Sequence, residues 1–277
     1  MTDLTMAYRL TTFDGLALPT ALHQAALAVA ATSGMVRTLD GRGFDAHGAA
    51  VAGVTFPYPL AYSCLATAAT GAEMLAVLDA LRGKVGVSGV LGLTLADASE
   101  RWCTARLLAL SFDASAVHRL HVPVSLTFEV ASFWFGATHS GALTLQAGGG
   151  TVDYYATLEC GGNVPVRDAV LTLTAGAAPI TAATIALVQL SGMELTPVCE
   201  WEYTATIAAG ASLVVDTGTW RVLNAGVDDY DHLHRTANHV SEYLFELQPN
   251  GATNIVALSL DGGGTPTLAL AFTEQWI

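Results

Sequence analysis

The tripeptide Asp216-Thr217-Gly218 follows the apolar run Leu213-Val214-Val215. Asp-Thr-Gly surrounds the reactive carboxylate of aspartic proteases, where two carboxylates share one proton and hold a water between them. One copy serves that chemistry only if two chains pair, with a hydrophobic-hydrophobic-Gly segment threaded behind the loop. This chain has no second Asp-Thr-Gly and no Ile/Leu-Ile/Leu-Gly triplet downstream, and the bulky Trp220 stands just past the loop. The stretch therefore reads as a turn between two strands. Leu213 and Val215 alternate on the first, Trp220 and Val222 on the second, all facing inward, while the Asp216 carboxylate shapes the turn.

A second chemical stretch is DDYDHLHRTANH, residues 228–239, with Asp228, Asp229, Asp231, His232, His234 and His239. His-x-His on a strand puts two imidazoles on one face, so Asp231, His232 and His234 are the residues that could ligate a metal. No glutamate base or further ligand pattern accompanies them, and a solvated loop accounts for the same composition, so no metal is assigned. His118 and His121 flank Arg119 and its neighbour ahead of a strand, and His47 sits in a Gly-rich stretch; each reads as a surface or turn residue. Gly-x-Ser-x-Gly, phosphate-loop and dinucleotide fingerprints are missing. DGGGTP, residues 261–266, has no helix behind it and reads as a hairpin loop. No catalytic residue and no cofactor are assigned.

Composition narrows the field further. The chain has 277 residues, enough for two domains. Hydrophobic residues make up 52% and charged ones 13%, against roughly 25% charge in an average globular chain. Much apolar surface must therefore be hidden, in β-rich cores or in subunit contacts. The formal net charge is −13, and Lys84 is the only lysine. Phosphate backbones are gripped by clustered cations, so direct nucleic-acid recognition is not expected. Residues 16–31, the most apolar early window, contain Pro19, His23 and Gln24, and no membrane insertion is expected. Cys64, Cys103, Cys160 and Cys199 are widely spaced without Cys-x-x-Cys, which suits free thiols and no zinc knuckle. The start lacks a signal-peptide layout, so synthesis in the cytoplasm is expected.

The elements that must position these residues are mainly strands. AEMLAVLDALR, residues 72–82, sets Met74, Leu75, Leu78 and Leu81 at helical spacing with Gly83 as the stop. The Ala-rich residues 21–31 admit a second helix. Strands are expected at 87–95, 102–110, 121–130, 168–175, 201–207, 243–247, 254–260 and 267–272, the density of a sandwich or barrel. The small-residue stretch GATHSGALTLQAGGGTV, residues 136–152, marks a linker or boundary. The expected division is 1–140 and 141–277, with no internal repeat between them.

The order of features resembles a known family. TLDGRGFDAHG (38–48), the helix with LRG at 81–83, RWCTARLLAL (101–110), VPVSLTFEV (122–130) and FWFG (133–136) follow one another. They are similar to the N-terminal domain of the distal tail proteins of long-tailed bacteriophages. GASLVVDTGTWRVLNAG (210–226), LQPNGATNI (247–255) and the closing FTEQWI resemble that family's C-terminal half. The resemblance implies an N-terminal β-barrel-like domain with one helix, packed into a ring, usually of six copies, and a C-terminal galectin-like β-sandwich. It implies a virion component at the tail tip, assembled in the host cytoplasm, joining tail tube protein and tape-measure protein to a baseplate hub or tail fibre protein. It implies no enzyme. An acidic ring lumen would repel passing DNA. A second expectation is a carbohydrate-binding adhesion module for host-surface glycans, with Trp201, Tyr203, Trp220 and Tyr230 as stacking candidates.

Overall fold

The computed structural model describes residues 9–19, 21–26, 57–95, 97–113, 120–149, 152–191, 194–249, 252–262 and 264–276. The 38–48 stretch with His47, the His118-Arg119 pair and the Asn250-Gly251 step of the 247–255 segment lie outside them. The chain divides into two compact units, residues 1–136 and 137–276. Both are built from β-sheet, and the described residues contain one α-helix.

In the first unit, β1 (Arg9–Phe13), β2 (Leu16–Ala17), β3 (Ala21–Ala26), β4 (Tyr58–Thr67), β5 (Ser88–Thr94), β6 (Glu100–Phe112) and β7 (His121–Val130) form an antiparallel sheet. Their order is β3-β4-β7-β6-β5-β1-β2. The Ala-rich segment that admitted a second helix is a strand over 21–26, because it pairs along β4. Asp14 (φ +45°) and Gly15 (φ +76°) close the β1–β2 hairpin as the two-residue turn whose twist matches the strands. β1 and β4 stand four positions apart, roughly 19 Å in a flat sheet. Yet the Tyr62 hydroxyl on β4 reaches the Leu10 carbonyl on β1 at 3.3 Å and the Pro19 carbonyl at 3.0 Å. The sheet must therefore curve strongly, and Phe13 and Phe128 meet edge to face inside it at 5.2 Å.

The helix α1 (Gly71–Gly83) lies where the 72–82 periodicity predicts it. Thr70 and Glu73 build a capping box: the Glu73 N–H donates to Thr70 Oγ1, and Glu73 Oε2 accepts from the Thr70 N–H. Met74, Leu78 and Leu81 are fully buried, each contributing about 1.5–3 kcal/mol. Leu75, expected on the same face, is 48% exposed. Just beyond the helix, Lys84 Nζ binds the Asp14 carboxylate at 2.7 Å and its carbonyl at 3.0 Å, fixing the tip of the β1–β2 hairpin.

The second unit takes in β8 (Trp134–Ala142) from residue 137 onward, followed by β9 (Gln146–Ala147), β10 (Tyr154–Cys160), β11 (Ala169–Thr174), β12 (Ile180–Ser191), β13 (Glu194–Tyr203) and β14 (Ser212–Asp216). β15 (Arg221–Asn224), β16 (Val227–Asp228), β17 (Leu233–Arg235), β18 (Ala252–Gly262) and β19 (Thr267–Trp276) complete it. One sheet runs β16-β15-β14-β11-β19-β8, the other β17-β13-β12-β18-β10-β9. Leu171, Leu213, Val215 and Leu270 of the first share a core with Ile185, Trp201, Val256 and Leu258 of the second. That is a β-sandwich. The 136–152 stretch, expected as a linker or boundary, holds the division between the units at 136–137 and carries β8 as far as Ala142 and the short β9.

Two expected strands differ. The one placed at 201–207 ends at Tyr203, because Thr204 turns to donate its N–H to the His232 carbonyl. Residues 243–247 bury Leu244, Phe245 and Leu247 as an irregular segment with a single bridge, Val166↔Leu247. An apolar run signals burial there, but no ladder.

Candidate functional site

The Asp216-Thr217-Gly218 stretch is a turn held by its own side chains. Asp216 Oδ1 accepts the N–H groups of Gly218 (3.0 Å) and Thr219 (3.1 Å). Thr217 is buried: its Oγ1 accepts the Ala169 N–H at 2.9 Å and donates to the Arg167 carbonyl at 2.6 Å. Leu213, Val215 and Val222 face the core as expected, but Trp220 does not. To bring Arg221 back opposite Asp216, Trp220 takes φ +56°, a left-handed conformation rare for bulky residues, and its ring is 42% exposed.

The 228–239 segment does not place its histidines on one strand. His232 ends the 3-10 turn Tyr230–His232, while His234 lies on β17, so the two imidazoles share no strand face. His232 Nδ1 meets Asp229 Oδ1, and Asp229 Oδ2 accepts the Tyr203 hydroxyl. The Tyr203 hydrogen bond holds the Asp229 carboxyl below the usual carboxylate range, with His232 adding to it. Burial pushes the Tyr203 phenol up, and the Asp229 bond pushes the same way. Asp231 and His234 are exposed, His234 standing opposite Glu202 in the β13–β17 ladder. His239 is a clamp: its Nδ1 accepts the Glu200 N–H at 3.1 Å, and its Nε2 donates to the Tyr243 carbonyl at 2.8 Å. Among the described residues no three His, Cys, Asp or Glu side chains converge as metal ligands.

Other polar groups also serve the fold. Glu274 Oε1 accepts the Gly161 N–H at 3.1 Å and lies 2.9 Å from His139 Nε2, whose ring stacks on Phe272 at 4.8 Å. The Arg167 guanidinium covers the Tyr243 ring at 3.8 Å and faces Glu246 at 3.4 Å, which pins the irregular 243–247 segment. All four thiols are buried, and burial raises each, Cys64 to about 11 and Cys160 and Cys199 to about 12. None is a nucleophile at neutral pH. His121 is exposed at the start of β7.

Of the four aromatics expected as stacking surfaces, Trp201 and Tyr203 are core residues, while Trp220 and Tyr230 are exposed. A feature not visible in the sequence lies on the outward face of the six-stranded sheet. A groove of about 780 Å³ crosses β10, β18, β12 and β13, lined by Tyr155, Ala257, Ala186 and Glu200 among others. Its signal is a coincidence of strand registers, which no local spacing encodes.

No family model matches this sequence, and no curated protein matches it. Solved structures do. The fold is similar to that of the Dit protein (gp 19.1) of phage SPP1, described as a paradigm of the hub adsorption apparatus in Gram-positive infecting phages. The TM-score is 0.61 at 12% identity, over 98% of this chain and 100% of that one. Chains of the phage p2 baseplate in its activated conformation, with Ca or with Sr, match at TM-scores of 0.38 and 0.38 and identities of 10% and 9%, over 98% and 96% of this chain and 91% of theirs. At these identities the likeness concerns the fold, and the SPP1 Dit protein is where it extends from end to end in both chains.

Proposed function

We propose that this chain is a structural component of a bacteriophage tail tip, a distal tail protein whose copies form a hexameric ring. The observation that carries the reading is the end-to-end likeness to SPP1 Dit, joined to the ordered motifs of both halves. In this reading residues 1–140 are the barrel-like, ring-forming part and residues 141–277 a galectin-like sandwich. The ring joins tail tube protein and tape-measure protein to a baseplate hub or tail fibre protein in the virion.

The surface of the first unit supports it. Val90 on β5 and Trp102 and Leu108 on β6 are exposed, and Trp102 stacks with Phe135 at a centroid distance of 6.5 Å. Apolar side chains held outward on a sheet suit burial against another copy. Asp216, Asp229 and His239 spend their side chains on hydrogen bonds within the fold.

Light scattering on the purified chain, with negative-stain images, tests the ring. The expected result is the mass of six chains and a sixfold particle, alone or once tail tube protein is added. A monomer that stays monomeric with its tail partners and is missing from purified virions overturns the reading.

A further inference from the structure

We propose that the hairpin tip at Trp220 and Arg221 of one copy docks into the groove on the six-stranded sheet of a second copy. The tip has the build of a projecting anchor. Trp220 takes φ +56°, a conformation that glycine adopts freely and bulky residues rarely do, and its ring stays 42% exposed. The turn beneath it is tied down. Asp216 Oδ1 accepts the N–H groups of Gly218 and Thr219, and the buried Thr217 is bonded to Ala169 and Arg167. Arg221 follows directly and is exposed. Of the three arginines in the second unit, Arg167 faces Glu246 and Arg235 donates to the Glu242 carbonyl. Arg221 has no hydrogen-bond or ion-pair partner for its guanidinium among the described residues, although Asp216 stands opposite it in the ladder. Tryptophan and arginine are the side chains that most often anchor protein interfaces.

The groove supplies the matching half. The strand registers put Tyr155 beside Ala257, Ala257 beside Ala186, and Ala186 beside Glu200, one row across four strands. Ala186 and Ala257 are only 7% and 8% exposed and form a low floor, which Val188 and Ile255 extend in the next row. The volume, about 780 Å³, is ample for an indole. Tyr155 stands at one end with its hydroxyl tied to Gln146 Oε1 at 2.7 Å, and offers an aromatic surface to an incoming ring. Glu200 lines the other end, its Oε1 accepting the Thr236 hydroxyl at 2.5 Å and the Asn238 amide at 3.0 Å. None of the four strands contains a lysine or arginine to neutralise it. An indole on the Ala186–Ala257 floor leaves Glu200 one strand spacing away, roughly 5 Å, within reach of the guanidinium on the next residue.

The occupant is a second copy because one chain cannot fill its own groove. The tip joins β14 to β15 in one sheet, while the groove lies on the outward face of the other, roughly 10 Å away across the core. A second copy brings both complements at once, an aromatic knob for the apolar floor and a cation for the carboxylate. The second unit carries 14 Asp and Glu against 3 Arg, a net −11, so copies repel at long range. At physiological salt that repulsion is screened within about 8 Å, and the opposite charges at the contact decide. Each copy gives its tip to one neighbour and its groove to another, a head-to-tail contact that either closes into a ring or runs on as a chain. It goes beyond the ring proposal, which draws on the first unit.

Cross-linking of co-expressed full-length chains at physiological salt tests it. One chain carries Thr219→Cys at the tip, the other Ala186→Cys on the floor, and a short bismaleimide joins thiols that come together. The four native thiols are buried and stay silent. The expected result is a covalent dimer from the co-expressed pair, at least about tenfold above either variant alone. Adding Trp220→Ala to the first chain should lower the yield about tenfold. Arg221→Glu should lower it similarly, and Glu200→Arg in the second chain should restore it. If Ala186→Cys fails to fold, Val188→Cys in the next row takes its place. Yields equal in pair and single variants, yields unmoved by Trp220→Ala, or a charge reversal that a folded Glu200→Arg chain does not rescue overturn the docking. A hexamer without the pair-specific dimer sinks this proposal alone, and a pair-specific dimer from a chain that forms no hexamer sinks the ring alone.

Discussion

The turn at 216–220 and the segment at 228–239 are both rich in polar side chains, but they use them over different distances. In the turn, Asp216 satisfies N–H groups two and three residues ahead, and the hairpin closes on itself. In the later segment, Asp229 meets Tyr203, 26 residues back, and His239 meets Glu200, 39 residues back. The first side chain stabilises a local conformation. The second set docks an irregular stretch onto a sheet edge, where its backbone would otherwise have few partners. Thr217 belongs to both kinds: it sits in the turn, but its hydroxyl serves Ala169 and Arg167 about 50 residues away. The contrast teaches that polar density in a sequence marks backbone in need of partners as readily as it marks chemistry.

This contrast can be broken or sharpened by substitution. The largest effect is expected at Thr217→Val, which keeps the shape but strands the buried Ala169 N–H. Chemical denaturation should show a loss of about 2 kcal/mol. Tyr203→Phe comes next, with about 1.5 kcal/mol lost at pH 7 because a hydrogen bond to a charged group disappears. Asp229 has a depressed folded pKa, so its contribution is complete above the usual carboxylate value of about 3.9 and fades as pH falls through the folded value. The Tyr203→Phe penalty should therefore shrink below about pH 4. A penalty constant with pH would mean that packing, and not the Asp229 bond, is what the hydroxyl provides. The smallest effect belongs to Asp216. Asp216→Ala should cost about 0.5–1 kcal/mol, and Asp216→Asn, which keeps the acceptor, almost nothing. A large loss on Asp216→Asn would show that the negative charge itself is needed.

How far the sequence speaks follows the same divide between near and far. The helix is legible because its cap, its apolar spacing and its stop lie within a dozen residues, and β7 is found with its expected limits, His121–Val130. Trp220 was expected to face inward because alternation continues through a turn on paper; in three dimensions the left-handed residue breaks the phase. Leu244, Phe245 and Leu247 have the composition of a strand, but burial without a neighbouring edge leaves them irregular. The groove is the extreme case. Tyr155, Ala186, Glu200 and Ala257 fall into one row only through three separate strand registers, and nothing near any of them in the chain announces the others.

The clasp between Lys84 and the Asp14 hairpin tip also sets how the molecule meets reagents. Lys84 is the only lysine and half-shielded, with its ammonium already engaged by a carboxylate and a carbonyl. The thiols are sealed away and held protonated by burial. The protein therefore offers almost no free side-chain amine or thiol to acylating, alkylating or aldehyde reagents. Among side-chain amines, a label on the first unit would report on one address, and the uptake at Lys84 would measure how often that hairpin lets go.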